Sequence, residues 1–273
     1  MQPGCDFTTT LLISTYNKPD YLRQTLLSVA RQTVLPDEVV VADDGSTDET
    51  RQLIDEIRTL IPIPIRRVWH PDDGFRKCEI LNKALAQAAG EYIIQTDGDI
   101  ILERHFMADH LEMAERGYFV CGSRILLPEE VTRRILDGTQ ELPRLRDGKI
   151  GFWFNGLRIG WLRHYLTKRF GKKAERGIRG CNTAYWKADL VAVNGFNEDI
   201  TGWGAEDAEM AFRMMHNGVR KKILKMGGIA YHMWHPLSSD DRLQINEAIL
   251  KTVKNDPDKV RCDNGIDKHL SEL

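Results

Sequence analysis

Short apolar runs alternate with helical stripes through the first hundred positions. TLLIS (10–14), EVVVA (38–42), IRRVW (65–69) and EYIIQT (91–96) read as strands. Between them, Leu22, Leu26, Val29 and Ala30, then Leu53, Ile54, Ile57 and Leu60, then Leu81, Ala84, Leu85 and Ala88 recur at helical spacing. Ser46, Thr47 and Asp48 offer N-caps to the second helix, and Gly90 closes the third. Buried strands joined by helices predict an α/β fold with a mostly parallel sheet covered on both faces. Beyond Leu126 the pattern loosens. It predicts a helix near 129–137, a strand entering a helix over 180–190, a helix opening at GWGAED (202–207), a strand within 227–236 and a last helix over 240–254. No repeat or low-complexity linker divides the chain. One continuous domain is expected over 1–255, with halves at 8–125 and 180–255, an insertion at 126–179 and a tail at 256–273.

Parallel sheets bind ligands beyond the carboxyl ends of their strands. STYN (14–17), DDGS (43–46) and TDGD (96–99) each follow a predicted strand, so three polar clusters converge on one edge. The third is the sharpest, because Asp97 and Asp99 flank Gly98 between two apolar runs. A desolvated carboxylate there is costly, so the stretch is either a solvated Asp-Gly turn or the holder of a cation. Mn²⁺ or Mg²⁺ prefers carboxylate oxygens, and Mg²⁺ on a diphosphate takes only one or two from the protein. Asp44 is placed to accept hydrogen bonds from a base or ribose, a role compatible with helix capping by Asp43 or Ser46. The absence of GxGxxG and GxxxxGK[ST] disfavours dinucleotide-binding and P-loop readings.

In the second half, GWGAEDAEM (202–210) sets Trp203 as a flat apolar platform before Glu206 and Asp207, which begin a helix. Acids in a first helical turn are stabilised by the dipole alone. A tryptophan beside paired acids also grips a sugar, and a carboxylate able to take a hydroxyl proton is a general base. YHMWHP (231–236) supplies His232 and His235. Two histidines at a strand end, in a chain carrying DxD, point to a metal ligand. Along a strand they face opposite sides, so one of the two, not both, should reach the metal.

Composition narrows the class further. With 42% hydrophobic and 29% charged residues the chain belongs with soluble globular proteins. Five scattered cysteines without a CxxC pair argue against a disulfide framework or zinc site and for a reducing compartment. The N-terminal stretch lacks a basic region followed by an apolar core, and no apolar run approaches the ~20 residues that span a bilayer. A cytoplasmic location is expected, and no nucleic-acid partner. The net charge of −2 hides an asymmetry: residues 144–179 carry +9, leaving −11 on the remainder. Within them, 151–173 interleave Trp153, Phe154, Trp161, Leu162 and Tyr165 with lysines and arginines. Read as one helix from about 153, the apolar residues share a face flanked by bases. That pattern suits either an anionic membrane interface or a helix packed on the core with its basic side in water.

LLISTYNKPDYLRQTLLSVARQT, VVVADDGSTDET, LNKALAQAAGEYIIQTDGDI and GCNTAYWKADLVAVNGFNEDITGWGAEDAEMAFRM together resemble the family-2 inverting glycosyltransferases of the GT-A fold. Within that family the chain is most similar to bacterial chondroitin-polymerase-type transferase domains. GWGAED also resembles the GWGGED motif of β-1,4-galactosyltransferases. The resemblance covers roughly 8–125 and 178–236. It implies transfer of a sugar from a nucleotide diphosphate, UDP-hexose or UDP-N-acetylhexosamine, to a hydroxyl of a glycan in bacterial surface polysaccharide synthesis, and a membrane role for the basic segment would fit a lipid-linked glycan. The usual cofactor is Mn²⁺. Carried over by position, Ser14, Tyr16 and Asp44 line the nucleotide pocket, with Asp44 facing uracil, and Asp73, Gly74 and Arg76 match a donor loop. Asp97 meets the ribose or a metal-bound water, Gly98 lies with it at the donor, and Asp99 and His232 ligate the metal, with His235 the alternative. Gly180 and Asn182 lie near the donor sugar, Trp203 and Glu206 hold the acceptor, and Asp207 is the base. Ala205 stands where the galactosyltransferase motif has glycine, and Cys181 where the family has the middle glycine of GGN. Residues 126–178 carry no motif that adds to the resemblance. The rival functions are a sugar nucleotidyltransferase and an inactive carbohydrate-binding relative.

Overall fold

The computed structural model describes residues 6–143, 150–170, 177–236 and 241–271. Its first elements are β1 (Thr9–Thr15), α1 (Pro19–Ala30), β2 (Glu38–Asp43), α2 (Asp48–Arg58), β3 (Ile65–Trp69), α3 (Lys77–Gln87) and β4 (Tyr92–Asp97), the alternation read from the sequence. There follow β5 (Ile100–Leu102), α4 (Phe106–Met113), β6 (Tyr118–Cys121), β7 (Arg124–Leu126), α5 (Glu129–Leu136) and α6 (Gly160–Phe170). The chain closes with β8 (Thr183–Trp186), α7 (Lys187–Ala192), α8 (Glu206–His216), β9 (Arg220–Ile223), β10 (Ala230–His232), α9 (Leu243–Asn255) and α10 (Asp267–Leu270).

Seven strands form the main sheet in the order β3-β2-β1-β4-β8-β6-β9. Every pairing is parallel except those of β8, which runs antiparallel to both neighbours. All residues of β1 and β2 are buried, as continuous apolar runs covered on both faces require. Alternation still sorts them: Leu11 and Ile13 face the core beneath α1 and α2, whereas Leu12, Val40 and Ile93 face α3 and α8. Edge strand β3 buries only Ile65 and Val68. The second and third helices stop earlier than expected. Leu60 lies beyond α2 and is exposed, and Ala88 is already extended.

A second sheet has three strands in the order β5-β10-β7. Only three residues of the expected 227–236 strand are in β10, so 233–236 follow no strand alternation. The expected tail also packs as part of the domain. Cys262 and Ile266 are buried, Leu270 lies against the same core, and His269 meets Glu198 at 2.8 Å.

The basic segment departs most from expectation. Residues 144–149 and 171–176, and the side chains of 168–170, lie outside the described residues. The single helix from 153 is instead a 3-10 turn over Trp153–Gly156 followed by α6. Helix α6 buries Arg163 and Thr167 and turns Trp161, 77% exposed, and Tyr165, 56% exposed, to solvent. The cause is Asp109 of α4, fully buried and ion-paired to both Arg158 and Arg163. Leaving a buried carboxylate unpaired costs about 3–5 kcal/mol, so the face of α6 that carries Arg163 is held against Asp109. The arginine therefore goes in and the tryptophan out.

Candidate active site

Register brings the three polar clusters together. Thr15 pairs with Asp43, and Ser14 with Asp97, so the clusters leave the sheet at one level. The Ser14 hydroxyl donates to Asp97 Oδ1 at 2.7 Å, the Asp44 N–H to Thr15 O, and the Asn17 N–H to Ser46 Oγ. Gly98 crosses close over β1: a Cβ there would sit 3.0 Å from Ser14 O. Asp44 is buried and fixed by His70 Nε2 at 2.7 Å and by the Arg76 N–H at 3.0 Å. Burial raises its carboxyl above the ordinary value against the pull of His70 and Arg76.

Asp99, one turn further, stands against both histidines. His235 Nε2 is 3.0 Å from Asp99 Oδ2, and His232 Nε2 is 3.7 Å from Oδ1. One ligand atom from each residue lies within 4.8 Å of the others. The β5–β10 register, with His232 opposite Ile100, and the Met233 N–H bonded to Asp99 O produce this approach. The expectation that only one histidine reaches the site is corrected here, because His235 lies past the strand where alternation no longer holds. Asp99 Oδ1 is buried without a hydrogen-bond partner. A carboxylate and two imidazoles form a donor set suited to Mn²⁺, and the orphaned oxygen is what such an ion would satisfy.

The loop into α8 is tightly wound, with Gly202, Gly204 and Ala205 all at positive φ. It delivers Glu206 and Asp207 as the first two helical residues. Asp207 Oδ2 accepts the Gly180 N–H at 2.6 Å, while Oδ1 is buried and unpartnered. Burial and the charge of Glu206 push the Asp207 carboxyl up to about 7. Such a group is half-ionised near neutrality, the poise a general base needs.

Two cavities of about 250 and 310 Å³ share Lys77, Asp97, Arg124 and Trp203 in their walls. The first also takes Ser14, Tyr16, Asp44, Gly98, Asp99, His232 and His235, and the second Gly180, Glu206 and Asp207. Four expected residues line neither cavity. Asp73 is 82% exposed and pairs with Arg76 at 3.6 Å, and Gly74 is a left-handed turn. The Arg76 guanidinium holds Pro71 O and Glu79, and only its backbone N–H serves Asp44. Asn182 is fully buried, bonded to His110, Ser123 O and Gly228 O. It staples the second sheet to the first rather than facing a donor sugar.

Residues 10–189 match the model of glycosyl transferase family 2. The chain belongs to that family. Residues 163–236, which hold the Trp203–Asp207 loop and both histidines, also match the galactosyltransferase N-terminal domain model. Among relatives of this family-2 chain, validoxylamine A glucosyltransferase of Streptomyces hygroscopicus subsp. limoneus is 28% identical over 96% of the chain and 57% of its own length. Chondroitin synthase of Escherichia coli is 26% identical over 83% of the chain and 34% of its length. The chain thus spans between a third and three-fifths of these two relatives. The crystal structure of residues 1–349 of Staphylococcus aureus TarS with UDP shares the fold, with TM-score 0.63 and 18% identity over 97% of this chain and 70% of that one. So does the mannosyltransferase PcManGT from Pyrobaculum calidifontis with GDP-Man and Mn²⁺, with TM-score 0.62 and 22% identity over 93% and 66%.

The family-2 frame holds residues that the sequence reading passed over. Lys77 bridges Asp97 and Glu206, Arg124 lines both cavities, and Lys18 lies 3.7 Å from Asp99. His70 follows β3 just as the polar clusters follow β1, β2 and β4, so the same strand-end logic finds it. A test of whether Asp207 serves as a base lies at Gly180, where an added Cβ would collide with both Asp207 carboxylate oxygens. Gly180→Ala is expected to cut turnover by roughly 100-fold, since misplacing a reacting group by about 1 Å has that effect. Steady-state rates on the folded variant check it.

Proposed function

We propose that the chain is a metal-dependent inverting glycosyltransferase moving a hexose or N-acetylhexosamine from a UDP-sugar to a hydroxyl of a glycan acceptor. Surface polysaccharide synthesis is the fitting setting. The observation that carries this reading is Asp207 itself, which lines a cavity sharing a wall with the cleft of Asp44, Asp97 and Asp99 and has a buried Oδ1 with no hydrogen-bond partner. A nucleotidyltransferase has no use for a base in that second cavity.

In this account the first cavity takes the nucleotide. Asp44, pre-oriented by His70 and Arg76, accepts from uracil N3–H. Ser14 and Tyr16 complete the wall, and Asp97 meets the ribose. Asp99, His232 and His235 would hold Mn²⁺ or Mg²⁺, which supplies charge neutralisation for the leaving diphosphate. Trp203 stacks on the acceptor sugar, and Glu206 accepts from one of its hydroxyls. Asp207 takes the proton of the attacking hydroxyl as that oxygen adds to the anomeric carbon opposite the diphosphate. One displacement inverts the configuration, with no covalent intermediate on the protein. The nucleotide in the TarS complex, and the GDP-mannose and Mn²⁺ in the PcManGT complex, support a nucleotide-sugar donor with a divalent ion. The test is a panel of UDP-sugars with Mn²⁺, read as UDP released. Release from at least one donor is expected, and silence across the panel sinks the reading.

A peripheral membrane site, and with it a lipid-linked acceptor, belongs to the same proposal. No described helix is long and apolar enough to cross a bilayer. Phe152, Trp153, Phe154, Trp161 and Tyr165 are all exposed within a stretch whose sequence charge is +9. Polybasic attraction is worth about 1 kcal/mol per residue near anionic lipid and fades with salt, whereas aromatic burial does not. The protein should cosediment with anionic vesicles, release only partly at high salt and ignore neutral ones. Trp153→Ser with Trp161→Ser should weaken binding without unfolding. No vesicle binding by the wild type removes this part.

A further inference from the structure

Lys77 opens α3 immediately after the loop that holds Asp44. Its ammonium nitrogen lies 3.2 Å from Asp97 Oδ1 and 3.4 Å from Glu206 Oε1, with the side chain only 17% exposed. Asp97 belongs to β4, on the donor side, and Glu206 to α8, on the catalytic side. Burial works against the ammonium, yet the carboxylates of Asp97, Glu206 and Asp207 together hold it well above the ordinary lysine range. Lys77 is therefore a fixed positive charge at the wall common to both cavities.

We infer that Lys77 is a positioning residue for the transfer: its ammonium clamps Glu206 of α8 to Asp97 of β4 and so fixes the helical turn that carries Asp207. The inference rests on the glycosyl-transfer reading and deepens it. Three facts support it. Glu206 and Asp207 are adjacent, so holding one orients the other. The loop before them passes through three positive φ values and leaves the helix end to be held by side chains. Two carboxylates beside a third would also repel each other without a cation between them.

The charges facing Asp207 set the expected pH behaviour. Glu206 on its own helix and Asp97 of β4 disfavour its ionisation, while Lys77 of α3 and the Gly180 N–H favour it. Arg124 and Arg179 line the same cavity. Removing Lys77 leaves the acids uncompensated, so the pH below which activity falls should rise.

The experiment compares Lys77→Met, Lys77→Arg, Glu206→Gln and the Lys77→Met/Glu206→Gln pair, using UDP release across pH and UDP binding by calorimetry. For Lys77→Met, turnover should fall roughly 30- to 100-fold, within the range of a misplaced base. The acidic limb should move up by about one pH unit, and UDP affinity should stay within about threefold. Lys77→Arg keeps the charge and should recover most of the rate. If Lys77 acts through Glu206, the pair should be no slower than the slower single variant, the non-additivity of coupled residues. Wild-type turnover and limb in Lys77→Met overturn the clamp, as does a loss confined to UDP affinity or a pair whose losses multiply. If Lys77→Met does not fold, Glu206→Gln releases the same clamp, and wild-type turnover there overturns it equally. Wild-type UDP release separates the two readings: its absence defeats glycosyl transfer itself, whereas its presence with an unaffected Lys77→Met defeats only the clamp.

Discussion

Asp207→Asn is expected to lower turnover by about 10³-fold, the middle of the range for losing a general base, while UDP affinity stays within about threefold. The substitution keeps the shape of the side chain, and the hydrogen bond from the Gly180 N–H can persist on the amide oxygen. What disappears is the carboxylate oxygen that has no hydrogen-bond partner. The effect should therefore fall on kcat and not on donor binding. The wild-type pH profile gives an independent check. Burial and Glu206 hold the Asp207 carboxyl at about 7 in the folded protein, and a base must be deprotonated to act. Turnover should rise with pH and level off above about 7, and this limb should be missing from the residual activity of Asp207→Asn. Calorimetry with UDP and rates across pH distinguish the outcomes. A variant within threefold of wild-type kcat would move the base elsewhere, with Glu206 the nearest candidate.

Asp99→Ala should be nearly as damaging. It deletes the only carboxylate of the three-residue cluster and leaves His232 and His235 to hold a divalent ion alone. Loss of a metal-held position costs several kcal/mol of charge stabilisation, so UDP release at saturating Mn²⁺ should drop by about 100-fold or more. The wild type should lose activity in EDTA and regain it with Mn²⁺. Because both imidazoles reach Asp99, His232→Ala and His235→Ala should each weaken Mn²⁺ binding, measured by titration in the presence of UDP. Turnover by Asp99→Ala in EDTA at the wild-type rate would end the metal-dependent account.

The strand ends were legible because hydrophobic runs are long enough in β1, β2 and β4 to fix where each strand stops. Ser14, Asp44, Asp97 and Asp99 then followed from position alone. Glu206 and Asp207 were legible for a similar reason, since glycines beside an amphipathic stripe mark a helix start. What escaped reading depends on contacts between distant elements. Lys77 resembles any helix-opening lysine until β4 and α8 are brought beside it. Asn182 looked like a ligand-facing amide, but burial pushes His110 down to about 4, so a neutral imidazole donates to it inside the core. Strand alternation, which admits only one of His232 and His235, does not extend past the end of a three-residue strand. In α6, periodicity left open whether Trp161 and Tyr165 pack on the core or face outward, because the deciding group, Asp109, lies 49 residues from Arg158 and 54 from Arg163. A buried carboxylate decided the face of the helix.

The most direct measurement is the anomeric configuration of the first product formed from an α-linked UDP-sugar, followed by proton NMR as UDP is released. A single displacement assisted by Asp207 predicts a β-configured product from the first turnover, with Asp207→Asn failing to form it at a comparable rate. An α-configured first product would contradict the account, because a single displacement from the face opposite the diphosphate cannot retain the configuration.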